Sequence, residues 1–300
     1  MEFLSWKRGR LACTIGGEVR YFLSSVMLWS VVAWSQPAWA SEWFADVTAA
    51  VGINFLHQDG RSGLKYYVET AASGGGWLDF DNDGDLDIYL INGGLTPGSP
   101  LTTAPSNALY ENRNGTFVDI TEHAGVGKSG YGMGMCVGDI DADGLLDFLV
   151  TNYRGDHLYR NLGQGRFQEI GQQAGVVGMS WSTGCAFGDL DGDGDLDLYV
   201  AHYVDFTFTK NPFCGDRARN LRAYCRPDVF AGQPDSLFIN QGDGTFRDEA
   251  EQRGIARGRD EKGFGVVLSD IDNDNDLDIY VANDGTMNRL YVNDGEGVFV

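Results

Sequence analysis

The feature that most constrains this chain is an aspartate-rich segment that occurs four times. WLDFDNDGDLDIYLIN (77–92), CVGDIDADGLLDFLVTN (136–152), AFGDLDGDGDLDLYVAH (186–202) and VLSDIDNDNDLDIYVAN (267–283) align without gaps on their aspartates. A Gly-rich apolar lead precedes each: Gly74-Gly75-Gly76, Gly132-Met133-Gly134, Gly184 and Gly263-Phe264-Gly265. A second unit follows each: NALYENRNGTFVDITEHAGV (107–126), DHLYRNLGQGRFQEIGQQAGV (156–176), DSLFINQGDGTFRDEAEQRGI (235–255) and NRLYVNDGEGVFV (288–300). Asn-Gly, Gln-Gly and Asp-Gly pairs between short aromatic and β-branched runs signal hairpins. One period therefore holds about four strands: the Gly-rich lead, the run after the aspartates, the L-Y/F strand and the G-x-F strand.

The first aspartates fall at 79, 139, 189 and 270, so the periods are 60, 50 and 81 residues. A four-stranded repeat of that size matches a propeller blade rather than a helical solenoid, and helical periodicity is absent. The expected fold is all-β, a β-propeller of four-stranded blades with calcium-binding loops, occupying residues 41–300. An insertion at 205–234 explains the long third period, and a smaller Pro/Gly/Thr-rich excursion lies at 93–106; both read as surface loops. The 42 Gly against 7 Pro suit many short strands joined by tight turns. Trp43-Phe44-Ala45-Asp46-Val47-Thr48 copies Thr116–Thr121, the last strand of a repeat, and the chain stops at Val298-Phe299-Val300 within that same strand type. Either the N-terminal strand completes the last blade or the ring is truncated in this chain; truncation is the favoured reading, because four blades is the low end of the propeller range.

Each aspartate cluster is a nine-residue loop, D-x-D-x-D-[GN]-x-x-D, at 79–87, 139–147, 189–197 and 270–278. Side-chain oxygens are expected from positions 1, 3, 5 and 9: Asp79, Asp81, Asp83 and Asp87; Asp139, Asp141, Asp143 and Asp147; Asp189, Asp191, Asp193 and Asp197; Asp270, Asp272, Asp274 and Asp278. Position 7 is Asp85, Leu145, Asp195 or Asp276, and a backbone carbonyl is the expected ligand there, which makes the leucine harmless. Position 6 is Gly84, Gly144, Gly194 or Asn275, residue types that tolerate the positive φ of a sharp turn. Four carboxylates in nine residues repel strongly without a cation. Calcium, a hard ion with flexible oxygen coordination, answers that better than magnesium. An EF-hand is excluded, because position 12 is Leu90, Val150, Val200 or Val281 instead of a bidentate Glu, and the flanks are strands. One such loop alone reads as a solvated turn; four in register do not. With no helix pair to open, the metal is expected to be structural.

At these residues the chain resembles the FG-GAP/VCBS repeat family: Gly263-Phe264-Gly265 followed by the Asp270–Asp278 loop looks like its defining motif. The alternating F-x-D-x-T…A-G-[VI] and L-Y-x-N-x-G-x-G-x-F units, with the Cys214/Cys225 insertion, look more narrowly like the ASPIC/UnbV branch, which includes cartilage acidic protein-like secreted proteins. The resemblance covers about residues 42–300. It implies a calcium-loaded propeller like the integrin α-subunit head, and a role in adhesion or extracellular recognition. Members of that branch often continue into a further C-terminal domain.

Residues 1–40 read as a secretory signal. Lys7, Arg8, Arg10 and Arg20 precede an apolar run from Tyr21 to Trp34, and Ala38-Trp39-Ala40 offers a small-x-small cleavage site. The alternative is an uncleaved anchor, but the run is short for a bilayer span and Gln36-Pro37 interrupts it. The mature chain is therefore expected to be secreted, periplasmic or at the cell surface, with no membrane span. Cleavage leaves Cys136, Cys185, Cys214 and Cys225. Export permits disulfides, and Cys214 and Cys225, in one irregular segment, are expected to pair. Cys136 and Cys185 lie in apolar strand patterns and read as free buried thiols.

The net charge of −21, from 43 acidic and 22 basic residues, opposes binding to nucleic acid or anionic lipid. No H-E-x-x-H, G-x-S-x-G or C-x-x-C occurs. Of His57, His123, His157 and His202, the second and third read as solvated rings at strand or turn edges, and His202 could face a propeller end. Arg217, Arg219, Arg222 and Arg226 form a basic cluster in the insertion; a solvated loop is its ordinary reading, and it is also the best candidate for a partner contact. Function is expected to be recognition, adhesion or scaffolding toward an extracellular protein or glycan, with no catalytic residues assigned. The competing reading is a hydrolase, lyase or other enzyme with its site at the central funnel, where Trp77, Met133, Met135, Trp181 and Phe264 read as packing. A purely structural role within a larger surface protein is a third possibility.

Overall fold

The computed structural model describes residues 44–71, 73–255 and 261–300; the signal segment read at 1–40 lies outside them. The repeats fall in the compact unit Val47–Val300. The chain is all-β, with 6% helix. The first blade is β1 (Gly75–Leu78), β2 (Asp87–Leu90), β3 (Ala108–Asn112) and β4 (Phe117–Asp119), and the second is β5 (Tyr131–Gly138), β6 (Asp147–Tyr153), β7 (His157–Asn161) and β8 (Phe167–Glu169). The third runs β9 (Ser182–Gly188), β10 (Asp197–His202), an inserted hairpin β11 (Cys214–Asp216) and β12 (Leu221–Ala223), then β13 (Ser236–Asn240) and β14 (Phe246–Asp248). The fourth is β15 (Gly263–Ser269), β16 (Asp278–Asn283) and β17 (Arg289–Tyr291), after which Asn293 bridges to Phe299. Every blade is an antiparallel meander, the four-strand period that the sequence predicts.

Period-2 alternation gives each blade two apolar faces, and adjacent blades bury them against each other. One face carries Tyr89 and Leu109, Leu149 and Leu158, Tyr199 and Leu237, all fully buried; its fourth copy, Val267, Tyr280 and Leu290, is 58%, 37% and 46% exposed. The strands β1, β5, β9 and β15 pack side by side in that order.

Four findings depart from the sequence expectation. Cys136 and Cys185 are disulfide-bonded to each other, not free, with Cα atoms 5.6 Å apart. Each is a small apolar residue when its own strand is read alone. The abutment of β5 and β9 from successive blades is what brings the sulfurs together. Second, the segments leading into A-G-[VI] fold as single helical turns, α1 (Thr121–Ala124) and α2 (Gly171–Ala174), each closed by a left-handed glycine, Gly125 or Gly175. A Cβ on Gly175 would stand 2.7 Å from the Phe246 carbonyl of the next blade, so this glycine is required by contact as well as by φ. Third, the N-terminal copy is not a strand in its described part. Residues 48–52 form a turn of the same kind, and the Val51 carbonyl accepts the Phe117 N–H at 2.7 Å.

Fourth, the insertion is not merely a surface loop. Its hairpin is tied by the Cys214–Cys225 disulfide, and Phe206, Cys225 and Phe230 are buried with Tyr66, Tyr67, Val68, Tyr131, Met133, Tyr153, Trp181 and Tyr203. Tyr67 stacks on Phe230 at 4.7 Å, and its hydroxyl bonds that of Tyr203 at 2.7 Å. These aromatics lie at the end where β2, β6 and β10 finish. The aspartate loops join β1 to β2, β5 to β6, β9 to β10 and β15 to β16 at the opposite end.

Candidate metal centres

At each loop the carboxylates of positions 1, 3 and 9 converge: Asp79, Asp81 and Asp87; Asp139, Asp141 and Asp147; Asp189, Asp191 and Asp197; Asp270, Asp272 and Asp278, each set within 4.8 Å. Backbone conformation produces this. Position 6 is left-handed in all four copies (Gly84, Gly144, Gly194, Asn275), and so is position 4 (Asn82, Ala142, Gly192, Asn273). Two reversals in three residues fold the loop back on itself, and the position-1 carboxylate then accepts the N–H of position 6 at 2.8–3.2 Å. Position 5 behaves differently. Asp83, Asp143, Asp193 and Asp274 each accept the amide of position 7 (Asp85, Leu145, Asp195, Asp276), which turns one oxygen toward the backbone and keeps these four outside the convergent sets.

The position-9 aspartates, at most 1% exposed, join three segments. One oxygen accepts the position-2 N–H (Phe80, Ile140, Leu190, Ile271), and the other accepts the N–H of an asparagine on the third strand (Asn112, Asn161, Asn240, Asn293). Those asparagines are a functional set that the sequence reading did not single out, although each is the N of the repeated L-Y-x-N. Their amides donate to the position-8 carbonyl of the same blade. Asn161, Asn240 and Asn293 also reach the position-2 carbonyl of the preceding blade (Phe80, Ile140, Leu190) at 2.8–3.0 Å. Loop geometry and blade stacking are thus one hydrogen-bond system.

Buried Asp141 Oδ1, Asp191 Oδ1 and Asp276 Oδ1 have no hydrogen-bond partner. Orphaned carboxylate oxygens are costly unless a cation satisfies them. The all-oxygen donor set suits a hard dication, so these residues fit calcium. Burial pushes Asp87 and Asp147 up to about 6 and Asp197 up to about 7, against the backbone N–H bonds that oppose it. Burial, then repulsion from Asp83 and Asp193, raises Asp81 and Asp191.

The loops differ in one respect. Arg160 pairs with Asp141, and Arg253 pairs with Asp191 at 3.0 Å while also holding Glu249 at 3.0 Å. In the first blade the place of Arg160 is taken by Glu111, whose carboxylate is engaged by Arg113 at 2.8 Å. A cleft of about 1190 Å3 opens there, lined by Asp81, Glu111, His123, Lys128 and Gln164 among others, whereas the corresponding space beside Arg160 is about 110 Å3.

The remaining candidates are dispersed. His202 is buried, its Nδ1 2.6 Å from the Pro234 carbonyl; His157 is half-buried, with burial lowering its pKa, and so is not the solvated ring expected. His123 Nε2 lies 3.2 Å from the Gln164 carbonyl. Trp181 and Met133 pack in the aromatic cluster, while Trp77 and Phe264 are half exposed. Arg222 donates to the Asn211 and Pro212 carbonyls, Arg217 lies over Phe213, and Arg219 and Arg226 pair loosely with Asp216 and Asp228.

Compared with known families, the chain matches the FG-GAP-like repeat at residues 79–150, 139–200 and 225–281, together more than half its length. No curated protein matches it. Among solved structures it is similar to an Agrocybe aegerita lectin described for specific recognition of non-reducing terminal N-acetylglucosamine, at 20% identity and a TM-score of 0.42. The match covers 75% of this chain and 49% of that one, so this chain spans about half the length of the lectin.

Proposed function

Since the chain belongs to the FG-GAP-like repeat family, we propose that it is an exported module that holds calcium in its four aspartate loops and serves extracellular recognition, adhesion or scaffolding. Within the family we place it in the ASPIC/UnbV branch, on the L-Y-x-N and A-G-[VI] units that here build the third strand and the helical turn. The observation that carries the calcium reading is the fourfold convergence of three carboxylates, with oxygens left unpartnered in three of the loops. Positions 1, 3 and 9 would hold the ion, with position 5 and the position-7 carbonyl completing the set. Calcium, when bound, supplies the charge that lets these carboxylates share one loop. The residues themselves do the rest: position 9 ties the loop to the third strand, and the left-handed positions 4 and 6 set its curvature.

Export is supported by the leader composition and by two disulfides, which belong to oxidising compartments. Among the described residues no helix is long and apolar enough to cross a membrane. The proposed role is binding rather than catalysis, toward an extracellular protein or glycan, with Arg217, Arg219 and Arg226 on the exposed insertion as the contact surface.

Equilibrium dialysis against calcium should find close to four ions per chain, and chelation should lower the melting temperature markedly. Capture of an extracellular ligand should weaken when Arg217, Arg219 and Arg226 are changed to Ala together. A chain that binds no calcium at millimolar supply, and melts identically in chelator, would remove the basis of the reading.

A further inference from the structure

We propose that the four loops fall into two classes: the second and third keep their fold without metal because Arg160 and Arg253 offset their charge, whereas the first and fourth depend on the ion. The inference rests on the calcium reading above and concerns what this chain's own side chains do in the ion's absence.

Charge separates the loops. The first and fourth each carry five aspartates, at 79, 81, 83, 85 and 87 and at 270, 272, 274, 276 and 278. Among the described residues no Lys or Arg pairs with any of them. The second carries four, because Leu145 takes position 7, and Arg160 pairs with Asp141. The third carries five, and Arg253 pairs with Asp191. Arg253 is held firmly: it is mostly buried, bonded to Glu249, and donates to the Glu296 and Gly297 carbonyls of the next blade. Arg160 is more exposed, so solvent screens its pair further. In the third loop Arg253 donates to Asp191 Oδ2 and leaves Oδ1 buried without a partner; in the second Arg160 forms an ion pair at Asp141 Oδ2, and neither Asp141 oxygen has a hydrogen-bond partner. The arginine therefore relieves repulsion without taking the oxygen that would face the metal.

The first loop has a lesser tie, an Asn82 side-chain donor to the Gly144 carbonyl at 2.8 Å. That bond is neutral and does nothing for five like charges. Among the described residues the fourth loop has no corresponding bond from Asn273, the counterpart of Asn82. The Cys136–Cys185 disulfide also joins the second and third blades. Arginine pairing and covalent linkage thus coincide on the central two blades, and the outer two are left to the ion.

Hydrogen exchange followed by mass spectrometry, with calcium and with EDTA, reads each loop separately. In EDTA, exchange in 79–87 and 270–278 should speed by at least about tenfold, the fourth loop most, while 139–147 and 189–197 change by no more than about threefold. Arg160→Met should move 139–147 into the sensitive class. In the opposite direction, Glu111→Arg places a guanidinium at the first-blade equivalent of Arg160 and should protect 79–87 in EDTA. Uniform loss across all four loops, or unchanged exchange in both variants, overturns the inference. Calcium stoichiometry on the same samples keeps the two readings apart: four ions with uniform exchange sinks only the division into classes, and no bound calcium sinks the metal reading itself.

Discussion

Single residues in this chain can be judged against their counterparts in the other repeats. The residue just before the third strand is Asn107 and Asn288 in two blades, Asp156 and Asp235 in the others, and each accepts an N–H from the end of the second strand. The Asn side chains also meet a tyrosine hydroxyl, from Tyr89 and Tyr280; Tyr199 serves Asp235, but the second blade has Leu149 there and Asp156 takes a hydroxyl from Ser182 instead. Burial raises Asp156 and Asp235 to about 7. The folded state therefore binds protons that an unfolded carboxylate releases near pH 4, and the stabilisation they bring is full below that pH and lost as pH rises through about 7. Asp156→Asn should flatten part of this decline. In saturating calcium, urea unfolding should show the variant's margin over the parent growing between pH 5 and pH 8 by an amount on the order of 3 kcal/mol. Equal slopes in the two proteins would mean that Asp156 does not hold its proton.

At the scale of elements, the third strand does more than extend the sheet. Through Asn161 it closes the loop of its own blade, at the Leu146 carbonyl and the Asp147 carboxylate, and grips the preceding blade at Phe80. Asn161→Ala would leave two carbonyls and the Gly163 amide without this partner in a mostly buried place. A loss of about 2–3 kcal/mol in chemical denaturation is expected, with weaker calcium binding at both the first and second loops. Much of this was legible in the sequence. The D-x-D-x-D loops, their turn residues and the hairpin pairs placed the strands, because side-chain alternation and turn chemistry are local. The role of the asparagine was not, although its recurrence was in view. Half of what it does is reach another blade, and no spacing within one repeat encodes that contact. The single-turn helices were missed for the opposite reason, since four residues are too few to show a period.

For the whole molecule, stability comes from successive blades burying one face each against the next, with few contacts skipping a blade. The Cys136–Cys185 link closes a segment of 49 residues across one such joint. Replacing both cysteines with Ala should cost about 4 kcal/mol by chain entropy, seen as a lower urea midpoint, while reduction of the parent should give a similar loss. A double variant as stable as the oxidised parent would show that the joint is held by packing alone. The insertion acts at this scale too, since Phe206 and Phe230 enter an aromatic cluster built from the second and third blades and the segment around Tyr67.

The amino-acid sequence alone determined the repeat, the all-β architecture, the metal-type loops and the residues that could form them, since each of these is written in spacings shorter than one blade. Tertiary structure alone decided which carboxylates converge, which of them meet an arginine, that two apparently inert cysteines are bonded, and that the insertion packs inward. The first two depend on how a loop folds against the rest of its own blade, the last two on which strand of one blade faces which strand of the next. That relation is set by packing between segments about fifty residues apart, and local sequence carries no record of it.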